Sequence, residues 1–194
     1  MNQVLKFEAA IAEFYGSPYA VATDCCTHAI ELCLRHRGYK SVGCPARTYV
    51  SIPMTIFKLG LDYYWRDYKW KNYYYLDRTD IIDAAVLWER DSYIPETLMC
   101  LSFQFQKHLS LGRGGAILCD NVTDYDTLKK MSHDGRTPVV PWKEQDIDTI
   151  GYHYYMTLEV AQDGLDKLPD AINRAPKIWT QDDYPFLPDM EVFQ

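Results

Sequence analysis

The spacing of apolar and polar positions divides the chain into short helices and shorter strands. Leu5, Ala9, Ile11 and Phe14 recur at helical spacing over residues 4–15, and Gly16 supplies a stop. Tyr19 to Thr23 is an unbroken run suited to a buried strand. Thr27 is placed to cap a helix running to about Arg37, with Ile30, Leu32, Cys33 and Leu34 on its inner face. Gly43-Cys44-Pro45 reads as a turn. Thr48 then opens a helix through Ile52, Ile56, Phe57 and Leu59 to Gly60, with Pro53 in the first turns, where a missing N–H costs least. Further strands are expected over residues 80–87, Thr97 to Phe103 and Gly115 to Cys119. Helices are expected from Asp124 to His133 and from Gly151 to Leu168, and Pro176 to Gln194 lacks periodicity and reads as an arm. Short strands alternating with helices predict an α/β sheet covered on both faces.

A chain of 194 residues fits one domain, or one domain with a tail. The 16 Tyr, 7 Phe and 5 Trp are densest over residues 61–74, which reads as a tyrosine-rich surface loop or edge strand. The formal charge of −7, without a basic run longer than a pair, argues against a nucleic-acid ligand. No stretch approaches the roughly 18 apolar residues of a membrane span. Lys6, Glu8 and Glu13 break up the N-terminal segment, which has no small-residue cleavage site, so it is no signal peptide and a cytoplasmic location is expected. The six cysteines lie mostly in apolar segments and are expected as free thiols. Cys25, Cys26, His28 and Cys33 match no common zinc spacing, so no metal is expected.

Residues 100–121, CLSFQFQKHLSLGRGGAILCDN, hold the most informative chemistry. A strand delivers Ser102 and Phe103, Lys107 follows, and a turn with Gly112, Gly114 and Gly115 leads into the next strand. A lone lysine near glycines is ordinarily a solvated surface residue. Here its surroundings resemble the DegT/DnrJ/StrS family of aminotransferases, which use pyridoxal 5'-phosphate (PLP) to make amino sugars and carry S-F-x-x-x-K, then G-E-G-G-A and a strand ending near Asp-Asn. Ser102, Phe103, Lys107, Gly112, Gly114, Gly115, Ala116, Asp120 and Asn121 stand in that pattern, and Arg113 departs from it in place of an acidic residue. The resemblance implies that Lys107 forms a Schiff base with the cofactor aldehyde and then serves as the base, with Ser102 on the phosphate.

Other segments resemble the same family in order. DIIDAAVLW places Asp83 as partner of the ring nitrogen, and Val86 stands where the family usually has Gln or His. Cys25-Cys26-Thr27 stands for Ser-Gly-Thr, so Thr27 and the backbone at Cys26 are implied phosphate ligands. CPARTYVSIPMTIFKLG puts Tyr49 at the aromatic that stacks on the cofactor ring. In KKMSHDGR and GYHYYMTLEVAQDGLDKL, His153 replaces the Asn that reaches a neighbouring subunit's phosphate site, and Tyr155 replaces an Arg.

The resemblance implies the large domain of a fold type I aminotransferase: a three-layer sandwich on a mostly parallel sheet, reduced in size. Residues 1–168 would form a reduced PLP-binding domain and 169–194 an arm, with the small C-terminal domain missing and room for one crossover fewer between Tyr49 and Asp83. It further implies a homodimer with shared sites and a small-molecule substrate. The activity implied is amino transfer from glutamate or a similar donor to a keto-sugar or other small carbonyl compound. The alternative is a catalytically impaired or regulatory PLP-binding relative. A sugar dehydratase of the same group ranks lower, because those relatives carry His where Lys107 stands.

Overall fold

A computed structural model describes residues 2–194. Its elements in chain order are α1 (Gln3–Tyr15), β1 (Tyr19–Thr23), α2 (Cys26–Arg37), β2 (Ser41–Pro45), α3 (Ser51–Lys58), β3 (Asp62–Arg66), β4 (Tyr74–Tyr75), β5 (Ile81–Asp83), β6 (Leu98–Ser102), β7 (Gly115–Cys119), α4 (Val122–Ser132) and α5 (Leu158–Ile172).

Five strands form one sheet in the order β1-β7-β6-β5-β4, and β2 and β3 form a parallel pair. Hydrogen bonds between Gly43 and Asp77 in both directions (3.2 and 2.9 Å) tie that pair to the segment following β4. Side chains alternate across the strands, and that alternation builds two cores. Ala20, Ala22, Met99, Leu101, Ala116 and Leu118 face α1 and α5, whereas Val21, Leu98, Cys100, Ile117 and Cys119 face α2 and α4. The expected three layers are present, but the sheet is mixed rather than mostly parallel: β5 pairs parallel with β6, and β1·β7, β6·β7 and β4·β5 are antiparallel. The β4–β5 connection is a tight turn closed by the Leu76 N–H on the Ile81 carbonyl (2.9 Å), where a helical crossover would have kept the strands parallel.

Several expected boundaries move, each for a local reason. Gly43-Cys44-Pro45 is the end of β2, not a turn; a Cβ on Gly43 would lie 2.5 Å from Asp77 Cβ, so this glycine permits close strand approach. Residues 61–74 include β3, an edge strand of the smaller ladder. The strand expected over 80–87 ends at Asp83, because the Ala85 N–H turns back onto the Asp83 carboxylate (2.9 Å). Thr48 does not start a helix; its hydroxyl is buried against Tyr74, and α3 begins at Ser51. Thr27 does not cap α2 either: the capping position is Cys25, which offers no side-chain bond. Residues 151–157 are not helical; Tyr155 and His153 bridge to Thr23 and His133, and Thr157 caps α5. Beyond α5 the chain runs in short 3-10 turns. It is anchored by the Leu187 N–H on the Ala46 carbonyl (2.8 Å) and by Phe193 edge-on to Trp65 (5.4 Å). Among the described residues no helix is long and apolar enough to cross a membrane.

Candidate active site

The strand register collects functional groups at one edge of the sheet. Ser102, the last residue of β6, lies opposite Gly115, the first of β7, and Gly115 lies opposite Thr23 at the end of β1. Asp83 ends β5 on the neighbouring strand, opposite Cys100. Alternation puts the side chains of Asp83 and Ser102 on the face that packs against α2. The start of α2 arrives at the same edge because a Cβ on Gly115 would lie 2.5 Å from both the Cys25 carbonyl carbon and the Cys26 nitrogen. Only glycine permits that approach.

The first turn of α2 carries N–H groups without intrahelical partners, and Cys25 provides no side-chain cap. An uncapped helix start favours an anion. Hydroxyls stand beside it: Thr27 Oγ1 donates to Ser51 Oγ at 2.9 Å. Asp24 is engaged on both sides, by His28 Nδ1 (2.6 Å) and by Arg113 (2.6 Å). Arg113, the departure in the glycine-rich turn, is therefore an ion-pair partner of Asp24 beside this helix start. Burial opposes ionisation of Asp24, but His28 and Arg113 outweigh it and hold the carboxyl below its usual range. Burial likewise works against a charged His28, but its bonds to Asp24 and the Cys25 thiol raise it to about 9. The ligand atoms of Asp24, Cys25 and His28 lie within 4.8 Å of one another, and the two cationic partners already satisfy the carboxylate.

Asp83 is 5% exposed, and both of its oxygens have donors: the Tyr74 hydroxyl on one and the Ala85 N–H on the other (2.9 Å). Burial raises its carboxyl; the Tyr74 and Ala85 bonds and the charge of Lys107 work in the opposite direction. Burial keeps Tyr74 a neutral phenol, with the Asp83 charge adding to the effect. Its hydroxyl also meets Thr48.

Lys107 follows β6 on a loop closed by the Phe103 N–H on the Gly114 carbonyl (2.9 Å) and the Leu111 N–H on the Phe103 carbonyl (2.8 Å). Among the described residues its ammonium has no hydrogen-bond or ion-pair partner; it stands 5.6 Å from the centre of the Trp179 ring. Desolvation lowers its pKa, while Asp83 and Cys26 pull it back up. Burial holds the Cys26 thiol protonated. Lys107 and Ser102 line a cavity of about 200 Å³ together with Ala85, Val86, Trp88 and residues of the C-terminal segment.

The remaining sequence-derived candidates stand apart. Tyr49 is 58% exposed ahead of α3 and lines no part of that cavity. His153 is exposed and contacts Asp134 (3.1 Å). Sequence reasoning missed Tyr74, Thr48, Arg113 as partner of Asp24, and the C-terminal Arg174, Lys177 and Trp179. Tyr74 is one of several tyrosines in a row, and nothing in the spacing marks it out.

These features define an α/β domain with a lysine beyond one strand, an acid ending the next and an open helix start between them. Residues 2–86, a little under half of the chain, match the model of the DegT/DnrJ/EryC1/StrS aminotransferase family. That match includes Cys26, Thr27, Tyr49 and Asp83; Ser102, Lys107 and His153 lie beyond it. The fold resembles AtS13 from Actinomadura melliaura (19% identity, TM-score 0.75, 89% of this chain and 61% of that one). It also resembles the sugar aminotransferase CalS13 from Micromonospora echinospora (16%, 0.73, 88% and 61%). A third likeness is to the putative sugar aminotransferase Spr1654 from Streptococcus pneumoniae in its PLP form (17%, 0.74, 89% and 60%). The chain spans about 60% of the length of these solved structures. No curated protein matches it.

Proposed function

We propose that this chain binds PLP at the sheet edge and acts as an aminotransferase, moving an amino group from glutamate or a similar donor to a keto-sugar or other small carbonyl compound. The observation that carries this reading is Lys107 itself: an amine destabilised as a cation by burial, in the field of a buried carboxylate, beside an uncapped helix start. A lysine must be neutral to act as a nucleophile, and burial is the means of making it so.

The residues present fit the group. The close approach that Gly115 permits brings the N–H groups of Cys26 and Thr27 to the strand edge, where Ser102 and the Thr27 hydroxyl can complete a phosphate cup. Asp83, buried and on the α2 face, is the carboxylate available to a ring nitrogen; Tyr49, exposed and outside the cavity that Lys107 lines, would have to turn inward to stack. When bound, the cofactor would supply an electron sink for the bond-breaking step. The protein's own part is to hold Lys107 as a free base and take up a proton on Nζ. Asp83 contributes a negative charge where water is excluded, and α2 holds the phosphate.

The shared-site homodimer belongs to the same reading. Val50, Met54 and Phe57 (75% exposed) form an apolar stripe along α3 next to Tyr49, a face suited to a second copy. His153 would then serve the partner's phosphate cup.

The test is absorbance of the purified chain with added PLP, then borohydride and mass spectrometry. A visible band and a pyridoxyl group on Lys107, both lost in Lys107→Ala, are expected, followed by a spectral change with an amino donor. A label on any other lysine would refute the assignment. One observation favours the second reading, a PLP binder with impaired turnover: both Asp83 oxygens already carry protein donors. That reading gives the band and the label but no change with any donor.

A further inference from the structure

The wall facing Lys107 is built by the C-terminal segment, outside every motif that carried the family resemblance. Arg174, Pro176, Lys177 and Trp179 line the cavity opposite Ala85, Val86, Ser102 and Lys107. The segment is latched in place. The Asn72 N–H donates to the Trp179 carbonyl (2.8 Å) and the Trp179 N–H donates to Asn72 Oδ1 (2.9 Å). The Trp70 N–H donates to Gln181 Oε1 (3.1 Å). Trp179 is thereby held with the Lys177 ammonium 3.6 Å and the Lys107 ammonium 5.6 Å from its ring centre.

The charge of this cavity is unlike that of the molecule. The chain carries a formal −7, yet the lining has Lys107, His108, Arg174 and Lys177 and no Asp or Glu. One acid touches the group from outside: Asp183 accepts from Lys177 at 2.8 Å. Arg174 gives one N–H to the His108 carbonyl (2.8 Å), which orients its guanidinium and leaves other donors free. His108 is committed to the Ala171 carbonyl (2.9 Å). The space is also small, about 200 Å³ against the roughly 300–1,000 Å³ of pockets for drug-sized ligands.

We propose that Arg174 and Lys177 form the carboxylate subsite for a small oxo or amino acid, with Trp179 as the wall that orients its carbon skeleton toward Lys107. This deepens the aminotransferase reading and rests on it: the subsite would take the amino donor. Guanidinium and ammonium groups bind carboxylate through charge-assisted bonds, and an incoming carboxylate would share the Lys177 ammonium with Asp183.

The experiment is calorimetric titration of the full chain with glutarate, an unreactive dicarboxylate, with and without PLP. Arg174→Ala and Lys177→Ala are each expected to weaken glutarate binding by about tenfold or more. Both positions are exposed, so the variants should fold, which circular dichroism confirms. Lys143→Ala, an exposed lysine away from the cavity, serves as control and should bind as the parent does. Butylamine, of similar length but cationic, should not bind. No glutarate binding, equal affinity in all variants, or preference for inorganic phosphate would each overturn the proposal; the last would assign the cations to the cofactor's phosphate. Because glutarate binding is read with and without PLP, and borohydride labelling is separate, failure of the subsite and failure of the Lys107 assignment give different results.

Discussion

Two lysines in this fold are withdrawn from water near a buried carboxylate, and they are treated in opposite ways. Lys129 on α4 reaches Glu8 on α1 in direct contact, and the same Glu8 oxygen accepts the Ala22 N–H of β1 at 2.7 Å. That pair ties two helices to an edge strand and closes on itself. Burial raises the Glu8 carboxyl, and Lys129 and the Ala22 N–H oppose the rise. Lys107 and Asp83 feel one another's charge without touching: Asp83 takes its hydrogen bonds from Tyr74 and Ala85, and Lys107 is left facing an indole ring. The bracing pair spends its donors on its partner, whereas Lys107 keeps its amine unbound and its cation destabilised.

The largest expected effect tests the bracing pair. Glu8→Ala strands a buried ammonium and should cost about 3–5 kcal/mol, read from urea unfolding. Lys107→Met should behave oppositely. Burial holds its folded pKa below the ordinary lysine value of 10.5, so the folded state sheds its proton first and stability rises as pH climbs toward 10.5. Removing the amine removes that penalty, and at pH 7 the variant should be as stable as the parent or slightly more so. If Lys107→Met destabilised as much as Glu8→Ala, the contrast would be lost.

Tyr74→Phe removes one donor from a buried carboxylate and should cost about 1–3 kcal/mol. It should also raise the Asp83 carboxyl further, visible in its carbon-13 shift against pH, whereas a purely packing role for Tyr74 would leave that titration unmoved. The smallest effect concerns the cup. His28 rises from 6.5 to about 9 in the fold, so its contribution is complete below pH 6.5 and fades as pH climbs through 9. Asp24→Asn should flatten that slope in thermal melts run between these limits. An unchanged slope would mean that Asp24 does not hold the histidine charged.

Much of the frame was legible because it depends on local patterns. The apolar period marked α1, β1, β6 and β7, and the lysine–glycine signature singled out Lys107, which lines a cavity in the fold. Boundaries failed where a distant group competes with local preference. Thr48 looked like a helix start but bonds Tyr74, and 151–157 looked helical but bridges to β1 and His133. Gly43 looked like a turn because proximity to Asp77 is invisible in a string of letters.

The order of residues along the chain determined which groups are available: a lysine after a strand, an acid ending another, a hydroxyl at a helix start. Those are properties of neighbours in sequence, set by backbone period and side-chain type. Tertiary structure alone decided that the Tyr74 hydroxyl would donate to Asp83, and that Trp179, far along the chain, would face Lys107. Such pairings depend on strand register and on where a segment without periodicity lies down, and both are settled by the packing of the whole chain.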